Sequence, residues 1–458
     1  MAVFAATLTL GVLSAAIYWL NFRIDAVVPI FFKLSGIQLY VIIFLFLSAL
    51  YFIGVFLVCK IMPVDATSRW LTGMILFFAV IFRIGLIAPD PAVLSKDIYR
   101  YMWDGRVQHN GINPYLHPPG AIELKGLRDE KVFPNINRKD YPTLYPAGAQ
   151  VFFRVVYSLV GDSVTGFKAI MVFFDILTLV MLAALLRSWG LNLARLIIYA
   201  WNPLVIFEIS YSGHLEGVTV FLMTAALYLY ATRKKMVAIF MLALSAAVKL
   251  YPALLLAAFL NRGIRIKGIL IFASTIILLY LPFIAAGTHL SGFLPVYLNN
   301  PYESFNLGVK YLLMGLMPGI EYRVLSWLFI IVLAIAGLVV FLKHKNTVQA
   351  VRQGYMLTGL LIILMPASLH PWYVILVIPF LVIYPNPAWL VFTCTVSLSY
   401  LKYTSPNGIM PLWVLLVEYL PLFVMLSAEF ILSRNKGRAK PADTDGRYNN
   451  RKIMKVRR

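Results

Sequence analysis

Long apolar runs recur along almost the whole of this sequence and leave few folds open to it. A helix needs about 20 mostly apolar residues to cross the hydrocarbon core of a bilayer. Nine runs reach that length, near 2–20, 37–59, 70–88, 164–187, 191–210, 213–232, 266–287, 324–343 and 411–432. Five shorter runs, near 236–248, 251–263, 352–368, 372–385 and 388–402, are interpreted as paired or broken spans. Because 61% of the residues are hydrophobic and only 13% are charged, the sequence predicts an all-α integral membrane protein, a polytopic bundle of about 11–14 transmembrane helices.

The basic residues between these runs indicate the orientation of the chain. They cluster at Lys60/Arg69, Arg187/Arg195, 233–235, Arg262/Arg265/Lys267, Lys343/Lys345 and 434–458. Fourteen spans with a cytoplasmic N-terminus would place every cluster on the cytoplasmic side, as the positive-inside rule requires. We therefore predict a multi-pass protein of the plasma (inner) membrane with both termini cytoplasmic. Residues 1–432 would form one transmembrane domain and residues 433–458 a disordered basic tail. The net charge of +21 is then explained by basic residues that set the orientation of the chain and contact anionic lipid, and not by a nucleic-acid partner.

The opposite, non-cytoplasmic side receives the one long hydrophilic loop, residues 89–147, which is expected to carry short interfacial helices. The apolar stretch from Ala147 to Val160 follows it. As a helix this stretch would extend only about 21 Å, short of a core of roughly 30 Å. We interpret it as an interfacial or re-entrant helix beside the loop.

Four charged residues stand at the head of this loop. Asp97 follows a span, so its carboxylate would lie at the membrane boundary, where it could act as general base on an acceptor hydroxyl. The alternative is that Asp97 caps the following helix. Asp104, on the same helix face, is a candidate for a second acidic or metal-binding role, or for an ion pair with Arg100 or Arg106. Arg100 and Arg106 are candidates for binding a phosphate, with solvated ion pairs as the alternative.

Charged residues also interrupt the apolar runs on this side. His214 and Glu216 enter a span together, so they would face a cavity or each other. Asn202-Pro203 and Glu208 interrupt the span before them. Lys249 and Tyr251 lie where Pro252 breaks a pair of short runs. A cation sunk to that depth needs an anion, such as a lipid-linked phosphate, unless it reaches the outer interface.

Aromatic and polar turns complete the candidate binding residues. Tyr145, in the turn 141–146, could stack on a sugar ring or anchor the chain at the interface. Tyr302 lies in a polar outer loop, and His370 begins a further Pro-broken turn. Deeper in the bundle, Arg83 and Asp175 are predicted to form an interhelical pair with a packing role.

Taken in order, four motifs carry a resemblance: the Asp97 loop, Gly213-His214-Leu215-Glu216, Val248-Lys249-Leu250-Tyr251-Pro252 and His370-Pro371-Trp372-Tyr373. From about residue 70 to 430 the chain resembles the polyprenyl-phosphate-sugar-dependent, mannosyltransferase-like branch of the GT-C glycosyltransferases. The resemblance implies that the first long outer loop supplies a catalytic Asp, which Asp97 matches. It also implies a lipid-phosphate sugar donor and a site on the non-cytoplasmic face. The chain departs from the pattern at Glu216, where relatives often have Asp, and in two additional leading spans.

The sequence therefore predicts a membrane glycosyltransferase that moves a hexose, with mannose as the first candidate, from a polyprenyl-phosphate donor to a lipid or glycan acceptor. Asp97 would be the base, and Lys249 with an arginine would hold the departing phosphate. No cofactor is required; Asp97 and Asp104 leave a divalent metal open. The alternative function is a transporter or lipid flippase, since broken helices and sunken charges also mark transport sites.

Overall fold

All regular secondary structure in the part of the chain that the structure describes is helical. The computed structural model describes residues 2–32, 35–61, 69–88, 94–299 and 305–438. Six helical stretches within these ranges are long and apolar enough to cross a membrane: Ala2–Leu20, Gly36–Cys59, Val164–Ser188, Arg262–Leu298, Tyr322–Leu342 and Leu412–Leu432. Four shorter apolar helices accompany them: Ala147–Val160, Glu216–Ala231, Lys235–Val248 and Pro371–Ile383. The predicted all-α, polytopic membrane architecture is confirmed, and the number of crossings within 11–14 stays a prediction.

Further helices fill the positions that the apolar runs predicted. They are Arg69–Gly85, Thr347–Ile363, Pro387–Thr395 and the continuation of the last span to Arg438. The hydrophilic loop contains the helix Asp97–His109, called the loop helix below, and two 3₁₀ turns, Ile122–Leu127 and Phe133–Asn135. The basic tail beyond 438 and Tyr302 lie outside the described residues.

One span is broken where Asn202 and Pro203 predicted an interruption. The Asn202 side chain accepts a hydrogen bond from the backbone N–H of Leu204, and Pro203 begins a new helical turn. The two halves, Leu193–Ala200 and Pro203–Tyr211, are bent by 53°. The second half ends as a π-helix, Ile206–Tyr211, and Gly213 then turns the chain with a φ of +71°. This break brings Glu208 and His214 together.

A second break follows the helix Lys235–Val248. Lys249 has an extended backbone, with φ −142° and ψ 137°, and the chain resumes as a 3₁₀ turn, Tyr251–Leu255, that contains Pro252. Because Pro252 has no backbone N–H to continue the ladder, the helix stops one turn earlier, as predicted. Lys249 is therefore placed at the tip of the break.

The predicted pair of Arg83 and Asp175 is confirmed in the core. Nε of Arg83 donates to Oδ2 of Asp175 at 2.5 Å, and both side chains are fully buried. The hydroxyl of Tyr199 donates to the other carboxylate oxygen at 2.6 Å. Because each charge meets a partner, the pair joins the third and fourth candidate spans of the sequence analysis without leaving an unpaired buried ion.

Candidate active site

A cavity of about 510 Å³ opens beside the first turn of the loop helix. Its polar lining residues are Ser95, Lys96, Asp97, Asn137, Arg138, Lys249 and His370. Its aromatic lining residues are Tyr145, Tyr251, Tyr297, Trp372, Tyr373 and Tyr403, and an apolar wall is built by Ile37, Leu94, Leu144, Leu250, Leu294, Leu298, Leu361 and Met365. A polar end beside an apolar wall suits a ligand that is itself amphipathic.

Asp97 is the one carboxylate among the described residues that line the cavity. It is the first residue of the loop helix, where the helix dipole favours a negative charge. The side-chain amide of Asn137 donates to its Oδ1 at 2.7 Å, and 18% of the Asp97 side chain is exposed. The capping alternative is not what the structure has, because the cap position falls on Lys96 without a side-chain hydrogen bond. The Asp97 carboxylate is thus available to a ligand.

Three cations face the same space: Lys96, Arg138 and Lys249. Lys249 is only 8% exposed, which contradicts the alternative of a lysine that reaches the outer interface. Its Nζ forms an ion pair with Glu216 and lies 5.2 Å from the centre of the Tyr373 ring. The anion that stabilises this buried lysine is therefore a protein carboxylate, with the cavity on its other side.

His214 and Glu216 do not satisfy each other, so that alternative is also wrong. Glu216 pairs with Lys249, whereas His214 lies between Asp97 and Glu208. Neither His214 nor Glu216 lines the cavity.

Four rings stack in a row behind the cavity. His214 stacks on Trp372 at 3.9 Å between ring centres, Trp372 stacks on His370 at 4.4 Å, and His370 stacks on Phe305 at 4.7 Å. Both faces of Trp372 and of His370 are therefore covered by other rings. Burial and the charge of Arg138 lower the pKa of His370, which favours the neutral form of its ring. These two rings can meet a ligand only through their edges.

Arg100, Asp104 and Arg106 do not line the cavity. Nε of Arg100 donates to Asp104 at 2.8 Å, which is the predicted ion pair, and the side chain of Gln150 donates to the other oxygen of Asp104 at 2.9 Å. Arg106 pairs with Asp129 at 2.8 Å and with Asp162 at 2.6 Å. These donors are already engaged by protein carboxylates, so the contacts tie the loop helix to the rest of the loop and to the chain that follows it.

The surroundings of Asp129 favour its ionised form, and hence its ion pair with Arg106. Burial acts to raise the pKa of Asp129, but the hydrogen bond from Arg106 and two backbone N–H groups, of Val132 and Phe133, lower it to about 2.

Asp104 shares no cluster with other acidic or imidazole ligands: the described residues contain no group of three or more His, Cys, Asp or Glu that could hold a metal ion.

Four polar residues of the cavity lining were missed from the sequence: Ser95, Lys96, Asn137 and Arg138. They belong to stretches that look like ordinary polar loop, although Arg138 has a positive φ of 49°, which a side-chain-bearing residue rarely adopts. Glu208 had a visible signal, since a carboxyl group inside an apolar run must have a partner. Its partner proves to be Tyr400, whose hydroxyl donates to both carboxyl oxygens at 2.9 and 3.1 Å.

Comparison with known protein families gives a match over the N-terminal part of the chain. Residues 1–262, more than half of the chain, match the MptA_B family, described as alpha-(1->6)-mannopyranosyltransferase, N-terminal domain. The matched part contains the loop helix, the His214 turn and the Lys249 break, and it agrees with the resemblance to mannosyltransferases. No curated protein and no solved structure matches the chain.

Proposed function

The chain belongs to this family of alpha-(1->6)-mannopyranosyltransferases, and is thus a membrane glycosyltransferase, and we propose that it transfers mannose from a polyprenyl-phosphate sugar to a hydroxyl of a lipid or glycan acceptor. The GT-C type of mechanism and the non-cytoplasmic face of the reaction are part of the proposal. The family favours this function over the transporter or flippase that broken helices alone would also allow.

The observation that carries the proposal is the composition of the cavity. One carboxylate, three cations and an apolar wall share a space of about 510 Å³. A nucleotide sugar would not need the apolar wall, whereas the first isoprene units of a lipid donor would lie against it. The cations Lys96, Arg138 and Lys249 suit the phosphate that joins lipid and sugar. The chemistry of the lining therefore supports a lipid-linked sugar phosphate as donor.

The reaction balances with the residues at hand. Asp97 takes the proton of the acceptor hydroxyl, and the acceptor oxygen attacks the anomeric carbon of mannose. The bond between that carbon and the phosphate oxygen breaks, and its electron pair leaves with the phosphate, where the cations stabilise the growing charge. A single displacement inverts the anomeric centre, so an α-linked product requires a β-linked donor. The chemistry that supplies this substrate must form a β-mannosyl phosphate.

Substitution of Asp97 tests the proposal. Asp97→Asn keeps the shape of the side chain and its contact with Asn137 but cannot accept a proton, so transfer should fall by about 10²–10⁴-fold. The assay incubates purified protein with polyprenyl-phosphate-[¹⁴C]mannose and an acceptor-lipid extract and counts label in the acceptor. Donor binding should be retained, since the cations are unchanged.

The matched control is Asp140→Asn, the same chemical change at an exposed loop position. It should transfer mannose as the parent protein does. Transfer by Asp97→Asn at the parent rate would show that another group is the base. Labelling from a nucleotide sugar in place of the lipid donor would overturn the proposed donor class.

A further inference from the structure

A line of buried side chains runs inwards from Asp97, and the proposed reaction makes no use of it. Nδ1 of His214 lies 3.9 Å from Oδ2 of Asp97, and Nε2 of the same ring lies 3.4 Å from Oε2 of Glu208. Behind Glu208 stands the hydroxyl of Tyr400. His214 and Glu208 are fully buried, whereas Asp97 reaches the cavity. The imidazole therefore separates the candidate base from a second carboxyl group.

The backbone and the ring stack hold His214 in this place. Its ring lies against Trp372, and its backbone N–H donates to the carbonyl of Glu208 at 3.0 Å. Gly213 makes the approach possible, because a Cβ there would lie 2.6 Å from the side chain of Ile98 in the loop helix. Glu208 itself stands in the π-helix, a geometry that is concentrated at functional sites. The two ring nitrogens thus lie beside the two carboxyl groups.

The number of N–H groups on the His214 ring limits the hydrogen bonds that the ring can make. Neither nitrogen of His214 has a hydrogen-bond partner at the present distances. A neutral imidazole offers one N–H and one lone pair, so it can donate to only one of the two carboxyl groups and must accept from the other. Among the described residues, Glu208 forms no ion pair with lysine or arginine. A buried carboxylate without a cation is costly, so a proton on Glu208 is the less expensive arrangement.

We propose that Glu208 and His214 are positioning residues for Asp97: Glu208 donates to Nε2 of His214, which keeps the ring proton on Nδ1, and Nδ1 donates to Oδ2 of Asp97. Closing the distance by about 1 Å at Nδ1 and by about 0.5 Å at Nε2 brings both pairs to hydrogen-bond distance. Asn137 already donates to Oδ1. With one donor on each oxygen, the Asp97 carboxylate is held in one orientation, and the remaining lone pairs accept the proton of the substrate. This inference rests on the proposed function.

Other titratable and charged groups lie near Asp97 and are the same in all variants of the test. Tyr101, Tyr145 and Glu216 interact electrostatically with its carboxylate. Lys96, Arg138 and Lys249 share the cavity with it. Because none of these groups is changed, a difference between the variants below reports on the ring nitrogens of His214.

The test compares pH profiles of kcat/KM for mannose transfer. His214→Phe keeps a ring against Trp372 and removes both nitrogens, whereas His214→Gln keeps an amide donor. Loss of one donor makes the ionised form of Asp97 less favourable, so the acid limb should move up by about one pH unit in His214→Phe. At the acid end this variant should lose about tenfold, and near pH 8.5 it should approach the parent rate. The limb of His214→Gln should lie between the two.

Two further variants make the result decisive. Phe305→Leu disturbs the far end of the ring stack without touching His214, so its acid limb should coincide with that of the parent. An equal loss for His214→Phe at every pH, or no change at all, would overturn the inference and leave the ring a packing role. If Asp97→Asn is inactive while the limb of His214→Phe stays in place, this inference alone fails. If Asp97→Asn is fully active, the proposed base fails and the inference with it.

Discussion

At the scale of single residues, the buried cation of the cavity is stabilised by a carboxylate behind it. Lys249 pairs with Glu216, and its exposed fraction is 8%. A donor phosphate would approach from the cavity side and share the lysine with Glu216. The ion pair therefore stabilises the buried charge of Lys249 before a donor binds, whereas an unpaired lysine at this depth would be destabilising.

Removal of one partner should therefore harm folding more than removal of both. Lys249→Met leaves Glu216 buried without a cation and should lower the free energy of unfolding by about 3–5 kcal/mol. The double variant Lys249→Met/Glu216→Gln has no uncompensated charge and should recover most of this loss. Thermal unfolding of the purified proteins in detergent measures both, with the exposed Lys125→Met as control.

Donor affinity separates the folding role of the lysine from its binding role. The double variant should fold yet bind the lipid donor more weakly, by about 1.5–3 kcal/mol for a lost charge-assisted contact. Equal affinity in the parent and the double variant would mean that Lys96 and Arg138 hold the phosphate without Lys249.

At the scale of elements, close helix crossings determine how far Asp97 lies from Lys249. A Cβ on Gly105, in the loop helix, would lie 2.6 Å from the carbonyl oxygen of Phe153. A Cβ on Gly148 would lie 2.7 Å from the Cβ and the carbonyl oxygen of Ala247. The helix Ala147–Val160 is thus packed between the loop helix and the helix that ends at Lys249. This middle helix, too short to span by itself, positions both sides of the site.

An added methyl group at the first crossing should push these helices apart. Gly105→Ala meets backbone as well as side chain, so we expect a loss of about 1–3 kcal/mol of stability and reduced transfer. Gly73→Ala is the matched control: it is also a helical glycine, but no atom lies within 4 Å of its added Cβ. It should be neutral or stabilising by up to about 1 kcal/mol. Equal effects of the two substitutions would show that the crossing is not tight.

At the scale of the whole molecule, the basic loops and the cavity lie at different ends of the helices. The helix Lys235–Val248 begins at the basic cluster 233–235. Lys249, the residue directly after its end, lines the cavity. Its 14 residues separate these ends by about 21 Å. If the basic cluster is cytoplasmic, as the positive-inside rule predicts, the cavity is on the non-cytoplasmic side.

Cysteine labelling in intact cells tests this orientation. In a background with Cys59 and Cys394 replaced by alanine, Lys125→Cys in the hydrophilic loop should react with a membrane-impermeant maleimide. Lys234→Cys, equally exposed, should react only after the membrane is permeabilised. If Lys234→Cys is labelled in intact cells and Lys125→Cys is not, the cavity lies on the cytoplasmic side of the membrane. That result would contradict the proposed reaction on the non-cytoplasmic face.

The sequence by itself determined the features that depend on local chemistry. The apolar runs predicted the helices, since their length and composition are properties of a single segment. The breaks at Pro203 and Pro252 followed from the missing N–H of proline. The pairs Arg83–Asp175 and Arg100–Asp104 could be predicted because each charge had few possible partners, or one at helical spacing.

Only the tertiary structure decided which distant residues share the site. Asn137 and His214 lie far from Asp97 in the sequence, yet both lie beside its carboxylate, and Glu208 lies on the other side of the His214 ring. Lys249 could have met a phosphate, water or a carboxylate, and a sequence that contains several carboxylates does not say which one it meets. The same ambiguity applied to Arg106, which pairs with Asp129 and Asp162 and lies outside the cavity lining. A sequence specifies the charges to be neutralised, but the packing of the helices determines their distances, and Coulomb energy depends on distance.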